Sequence, residues 1–318
     1  ATMRQALLLS LTLLLFGGAT RAQESSASDS LLFTLKPLGH NVYAAIDKPK
    51  SPAGSNAGFV IGDDGVVVID TFEDAKAAEQ LLAEIRKLTK LPVKFVINTH
   101  YHLDHVTGNG VFAQAGAVII AQKNVRTWIH TQNLKFFGAS IKPEQKAWIA
   151  GLVAPNLVYE SSIDIFLGSR KISVRYFPGH TGGDSVVSVP DADVVFCGDL
   201  FWNKTLPNLI DASTDKWIES DAKLAGESPT ATFVPGHGDI GNAAEVRALG
   251  GYLTELRAML AQPVKEGLTG DAVVNAVLPG LKEKYGSWNF FDHFAKRNIL
   301  DTANELRGEK KVPQPGVP

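Results

Sequence analysis

Apolar positions along this chain follow two rhythms. The runs Asn41–Ile46 ("NVYAAI"), Val93–Thr99 ("VKFVINT") and Ala117–Gln122 ("AVIIAQ") are short and rich in Val and Ile. Short apolar runs bounded by turn residues predict buried strands. Phe59–Thr71 ("FVIGDDGVVVIDT") predicts two strands joined at Asp63-Asp64-Gly65, because Asp-Gly between apolar runs favours a tight hairpin. Ser161–Phe177 predicts a second hairpin turned at Gly168-Ser169, Ser185–Leu200 a third, and Ala231–Gly238 a further strand. From Glu73 ("EDAKAAEQLLAEIRKLT") the apolar residues change to helical spacing, with acidic side chains early and basic ones late, which complements the helix dipole. The tail after Asn242 is mostly helical, "AAEVRALGGYLTELRAML" being its clearest part.

A strand, a helix and a strand in succession point to parallel pairing. Each half of the chain has a hairpin whose second strand ends in aspartate, Asp70 in one and Asp199 in the other. The predicted fold is therefore α/β: a four-layer αβ/βα sandwich, two sheets face to face with helices outside. Residues 123–160 break the pattern and carry Trp128, Phe136, Phe137 and Trp148, which predicts a helical insertion covering a cleft. The expected organisation is a catalytic domain over 40–245, preceded by a linker and first-strand region at 23–39. A helical extension at 246–318 packs on the same domain, and its last residues, "PQPGVP", are loose.

Composition adds a compartment. Met3-Arg4 precedes an apolar core, Ala6–Phe16, and small residues at Thr20 and Ala22. That is the pattern of a signal peptide over 1–22, cut after Ala22, and too short to span a bilayer comfortably. Gln23 follows where a lipid-anchored protein has Cys. The expectation is a periplasmic or secreted protein with no stable membrane anchor; an uncleaved anchor is the alternative. The single cysteine, Cys197, permits no intrachain disulfide, so stability rests on the core or on metal. The formal net charge is −2, which lacks the basic excess of a nucleic-acid binder.

The histidines are not spread evenly. Three of the eight fall in "NTHYHLDHVTGN", at His100, His102 and His105, with Asp104 among them, directly after a strand. Side chains two apart on an extended segment point the same way, which aligns His100 with His102. His180 lies in "FPGHTGGDS", Asp199 in "FCGDLF" and His237 in "FVPGHGD", each where an apolar strand stops. Imidazole nitrogen and carboxylate oxygen are the donors for a borderline divalent ion such as Zn²⁺.

His-x-His-x-Asp-His, Gly-His-Thr, Gly-Asp and Gly-His, in this order over roughly residues 40–240, resemble the metallo-β-lactamase superfamily. The resemblance implies the αβ/βα sandwich and two metal ions. His100, His102 and His180 would bind the first; Asp104, His105 and His237 the second; Asp199 would bridge them. It further implies hydrolysis by a hydroxide generated between two zinc ions, with Asp104 orienting it and managing its proton; iron or manganese fits the same donors. The expected partner is a small-molecule ester, thioester, lactone or amide; oligomeric state is left open.

Other members narrow the choice. Diiron reductases resemble His-x-Glu-x-Asp, whereas His102 holds the middle place here. True class B β-lactamases generally replace the bridging aspartate, which Asp199 retains, although export and the His105–His237 pair favour them. Glyoxalase II-like thioesterases keep the aspartate and add a helical tail, but the insertion and the export signal fit a glutathione thioester poorly. A mononuclear iron persulfide dioxygenase and a non-catalytic binding module are further alternatives, and the complete second ligand set counts against both.

Outside the ligand set, Asp70 is either a hydrogen-bond partner to a ligand histidine or a strand-end cap. Thr181 and Asp184 are candidates to brace the His180 loop. Asn203 and Lys204 follow Asp199, and Lys204 either meets a substrate carboxylate or, as is commoner, is an exposed lysine with no partner. Tyr101, Trp202 and Trp128 either line a pocket or pack. Cys197 is placed by strand alternation on the same side as Asp199, and is read as a small core residue rather than a ligand. His40, His130 and His293 are read as structural or surface groups.

Overall fold

The computed structural model describes residues 31–317. The signal-type segment 1–22 and the start of the linker lie outside the described residues. Among the described residues no helix is long and apolar enough to cross a membrane.

Seven strands form the first sheet in sequence order: β1 (Phe33–Pro37), β2 (Val42–Asp47), β3 (Ala57–Ile61), β4 (Val66–Ile69), β5 (Val93–Ile97), β6 (Val118–Gln122) and β7 (Leu157–Tyr159). Pairing is antiparallel from β1 to β4 and parallel from β4 to β7. The parallel half follows from its helical crossovers, since a parallel neighbour cannot be reached by a tight turn. The second sheet contains β8 (Ser162–Leu167), β9 (Arg170–Tyr176), β10 (Ser185–Val189), β11 (Val194–Trp202) and β12 (Thr232–His237), in the order β12-β11-β10-β9-β8. Only β11 and β12 pair in parallel within it.

One buried apolar layer joins the sheets: Val42, Val60, Ile97 and Ile120 from the first, Ile172, Val187, Phe196 and Val234 from the second. Helices cover the outer faces. Helix α1 (Ala75–Leu88) starts where the Asp74 side chain accepts from the Lys76 amide, and it ends on Arg86 and Lys87. Its apolar stripe, Ala77, Ala78, Leu81, Leu82 and Ile85, is buried. Two short helices, α2 (Leu103–Val106) and α3 (Asn109–Gln114), follow β5, and α3 lies on β5 and β6. Over the second sheet lie α6 (Thr214–Glu227) and α7 (Ala243–Lys265), with α8 (Gly270–Tyr285) and α9 (Phe291–Leu306) packed on α7. Phe233 of β12, Trp217 of α6, Leu253 of α7 and Ile299 of α9 share one buried cluster, so the carboxy-terminal helices continue the core of the sandwich. The result is the four-layer αβ/βα arrangement.

The aromatic stretch after β6 forms α4 (Lys123–Trp128), a 3-10 helix (Gln132–Ser140) and α5 (Pro143–Ala150). The chain then adds β7 at the sheet edge, an element the hydrophobic pattern does not predict. Leu157 and Val158 are exposed there, so no in–out alternation marks them.

Candidate metal centre

The site is built where several strands end. After β5 the backbone bends at Thr99 and His100, is extended at His102, then turns into α2, which carries Asp104 and His105. Reciprocal amide bonds of 2.8 Å between Asn98 and Asn109 clamp this turn. His180 lies in the loop after β9, where the Thr181 amide donates to Asp184 Oδ2 at 2.8 Å and the Thr181 hydroxyl donates to its other oxygen. The expected bracing of the His180 loop is therefore observed. His237 is the last residue of β12.

Asp199 needs an irregular strand. The register of β11 against β12 shifts between Phe196 and Gly198, and Gly198 has φ +50°. A Cβ at Gly198 would come within 2.3 Å of Thr99 Oγ1, so glycine meets both a conformational and a steric demand. The bulge also breaks strand alternation. Cys197 therefore turns away from Asp199 into the helix-side core, correcting the expectation that the two share a side. Burial raises its thiol well above the usual range.

All seven predicted ligand residues converge in two overlapping groups. His100, His102, His180 and Asp199 form one; Asp104, His105, Asp199 and His237 form the other; within each, the donor atoms lie within 4.8 Å of one another. Asp199 divides its oxygens between them. Its Oδ2 lies 3.2 Å from His180 Nε2 and 3.7 Å from His100 Nε2. Its Oδ1 lies 3.0 Å from His105 Nε2 and 3.4 Å from His237 Nε2. Asp104 Oδ2 closes the second group, 3.3 Å from His105 Nε2 and 3.2 Å from His237 Nε2.

Outer partners set the imidazole tautomers. His105 Nδ1 donates to Asp70 Oδ2 at 2.8 Å, which leaves its Nε2 lone pair facing the centre. Asp70 also accepts from the Thr99 amide and hydroxyl, both at 2.7 Å, so it is a partner to a ligand histidine rather than a strand cap alone. His100 Nδ1 faces Thr99 Oγ1 at 3.1 Å. His102 is reversed: its Nε2 donates to Asp211 Oδ2 at 3.0 Å, and its Nδ1 faces His180 Nε2 at 2.9 Å. Asp211 further accepts from the Tyr101 hydroxyl at 2.5 Å and from the Lys135 ammonium.

Two observations fit these residues to divalent ions. The buried Nε2 atoms of His100, His105 and His237, and Asp199 Oδ1, have no hydrogen-bond partner. Buried polar atoms are rarely left so, because each forfeits its hydration. The field is also strongly negative around the second group. Burial works against charge on both sides, yet the carboxylates of Asp199 and Asp104 draw His237 up to about 9 and His105 well above its ordinary value. Burial likewise raises Asp104 and Asp199, but their histidine neighbours outweigh it and hold both carboxyls well below the usual range. By contrast, burial dominates at His180, lowering it to about 3 and keeping the imidazole neutral, as a metal ligand requires.

A cavity of about 340 Å³ opens over the centre. His102, Asp104, Asp199 and His237 form its floor, and Phe136, Phe137, Trp202, Phe290 and Phe294 its aromatic walls. Trp202 stacks on His237 at 3.8 Å between centroids, so it lines the pocket. Tyr101 and Trp128 are fully buried and pack instead. His293 is exposed, as its reading as a surface group expects, and it also lines the cavity: α9 brings the tail to the site. Lys204 takes the exposed alternative: its side chain is 74 % exposed with Nζ 4.0 Å from Glu245. Asn203 ties its loop to the Asp239 carbonyl at 2.8 Å. His130 donates to the Leu152 carbonyl at 2.8 Å and is structural. Asp211 and Lys135 were not predicted; they carry no motif, so nothing in the sequence marks them. Exposed Glu73, shortly after β4, also lines the cavity.

Residues 51–237 match the family model of the metallo-β-lactamase superfamily. The chain belongs to that superfamily. Among its relatives is a linear primary-alkylsulfatase from a Pseudomonas species, 25 % identical over 273 residues, covering 70 % of this chain and 52 % of that protein. A hydroxyacylglutathione hydrolase from Brucella ovis is 29 % identical over 185 residues, covering 57 % of this chain and 62 % of that one. The chain thus spans about half the length of the alkylsulfatase. A metallo-β-lactamase from Pontibacter korlensis shares the fold with a TM-score of 0.58 at 22 % identity, over 69 % of this chain and 99 % of that one. The metallo-β-lactamase DIM-1 does so with a TM-score of 0.57 at 20 % identity, over 70 % and 97 %. Superfamily membership and the paired His/Asp groups make divalent metal the cofactor class.

Proposed function

We propose that the protein is an exported, dinuclear zinc hydrolase of small esters, thioesters, lactones or amides. The observation that carries this reading is the split of Asp199, one oxygen toward each histidine group, beside buried nitrogens with no other partner. His100, His102 and His180 would hold one ion, Asp104, His105 and His237 the other, and Asp199 both. Ions held there supply Lewis-acid polarisation of a carbonyl and acidify water.

The protein's own residues do the rest. Asp70, Asp211 and Thr99 fix which imidazole nitrogen carries the proton, so three lone pairs face inward without rearrangement. Among the ligand carboxylates Asp104 is the exposed one, 24 %, and it faces the cavity. It is placed to accept a proton from the attacking water at the oxygen not turned to His105 and His237, and to return it to the departing atom. Trp202 and the phenylalanine walls exclude bulk water from that exchange. The thioesterase relative supports a carbonyl substrate; the alkylsulfatase relative adds a sulfate ester as a second reading. Export is supported by the Met3–Ala22 sequence pattern.

The test is metal content of the purified protein, read beside hydrolysis of a thioester, a lactone, a chromogenic cephalosporin and an alkyl sulfate. About two zinc ions per chain with carbonyl-substrate turnover is the expected result. One iron per chain, or turnover of the sulfate alone, would overturn it.

A further inference from the structure

The space at the metal centre does not end at His237. A second cavity of about 530 Å³ adjoins the aromatic chamber, and Gly54, His237 and Phe290 line both. The two differ in chemistry. The first has five aromatic rings and no lysine or arginine in its walls. The second is lined by Thr34, Lys36, Asp47, Lys50, Asn56 and Asn289, among others.

Some of those polar groups are already engaged. Lys36 is held by Asp239 at 2.6 Å, and Asn56 donates to the Pro235 and Gly238 carbonyls, each at 2.9 Å. Two charged ones retain capacity. Lys50 is exposed, in a left-handed conformation at φ +62°, and makes no ion pair or hydrogen bond among the described residues. The Asp47 carboxylate is bonded by Ser51 and the Lys48 amide, but its Oδ1 has no partner. An unpaired cation and an unpaired acceptor on one wall match a group that brings an anion and a donor together.

We propose that the second cavity binds the polar end of a two-ended substrate, with a carboxylate at Lys50 and an N–H or O–H donor at Asp47, while the apolar end fills the aromatic chamber. This rests on the hydrolase reading, because the scissile bond would lie between the two, over His237.

A non-cleavable probe separates the two ideas. S-(2-phenylethyl)cysteine has a phenyl end, a thioether in place of the scissile bond, and an ammonium and carboxylate end. 2-Phenylethyl 2-hydroxyethyl sulfide has the same apolar end without charge. Calorimetry on the metal-loaded protein should show the cysteine derivative binding roughly fivefold tighter, as one partly exposed ion pair allows. Lys50→Gln should reduce that preference, leaving only what Asp47 supplies, and added salt should weaken it in the wild type. Equal affinity for the two probes, or a preference undiminished by Lys50→Gln, would overturn the proposal. Turnover of the phenylacetyl thioester of 3-mercaptopropionate is measured in parallel. Preferential binding with no turnover would leave the subsite standing and remove the carbonyl-hydrolase reading. Turnover with no binding preference would remove the subsite alone.

Discussion

Asp211 lies outside every recognisable motif, yet the structure makes it the support of the first ligand group. It is buried and accepts from three donors: His102 Nε2, the Tyr101 hydroxyl and the Lys135 ammonium. Burial would raise its carboxyl, but these donors hold it well below the usual range. In Asp211→Asn the amide can still accept at one oxygen, but its NH₂ faces a donor. A hydrogen bond to a charged group contributes about 1.5–3 kcal/mol, and Lys135, 28 % exposed, recovers part of its loss from solvent. The expected fall in folding stability is therefore about 2–3 kcal/mol. The metal effect should be selective. Losing an outer partner of a ligand histidine typically weakens binding by about 10–100-fold, so one of the two ions should dissociate first while the other stays. Asp70→Asn is the mirror experiment, because Asp70 holds His105 of the other group. Stepwise competition with a chromogenic chelator, beside thermal unfolding, measures both. Loss of the same ion in both variants, or affinities within about twofold of wild type, would refute the division into two supported groups.

Gly198→Ala should be more damaging than an exposed glycine change, because it combines left-handed strain of about 1–2 kcal/mol with a contact to Thr99 Oγ1; denaturant unfolding and metal content should fall together. Lys204→Ala should leave kcat/KM within about twofold, since its side chain points to solvent, and a larger loss would restore it to the site. Asp221, buried with neither oxygen bonded, has its carboxyl raised well above the ordinary 3.8 by burial. Its folded form keeps a proton that the unfolded chain has released, so it lowers stability as pH climbs above 3.8 toward the raised value, by up to about 1.4 kcal/mol per unit. The stability of Asp221→Asn relative to wild type should accordingly rise from pH 4.5 to pH 8 (about the range accessible to urea titration); a gap that stays constant would show that Asp221 is not carrying a buried proton.

What the sequence makes legible depends on whether the determining physics is local. The paired strands and α1 are readable because short apolar runs, Asp-Gly turns and a buried Ala/Leu stripe act over a few residues. The ligand set is readable because most ligands stand just past the end of a strand where the chain turns, whereas Asp199 sits at a bulge inside β11. The fold then brings those ends to one rim. Residues that act across the molecule leave no such mark. Asp211 reaches His102 from a loop 109 residues later, and Lys135 reaches Asp211 from a 3-10 helix in the insertion. Cys197 shows the converse failure, where a local rule was applied across a bulge. His293 and Phe294 reach the pocket only because the apolar face of α9 is buried in the same cluster as β11. The metal centre is thus written largely in strand-end motifs, whereas four of the five aromatic walls, Phe136, Phe137, Phe290 and Phe294, come from the insertion and the tail. Those segments are set by packing partners far away in sequence. A relative can therefore keep every ligand and still differ in what it binds, which is why the ligand motifs alone place this chain in a superfamily and the two cavities are needed to say what it holds.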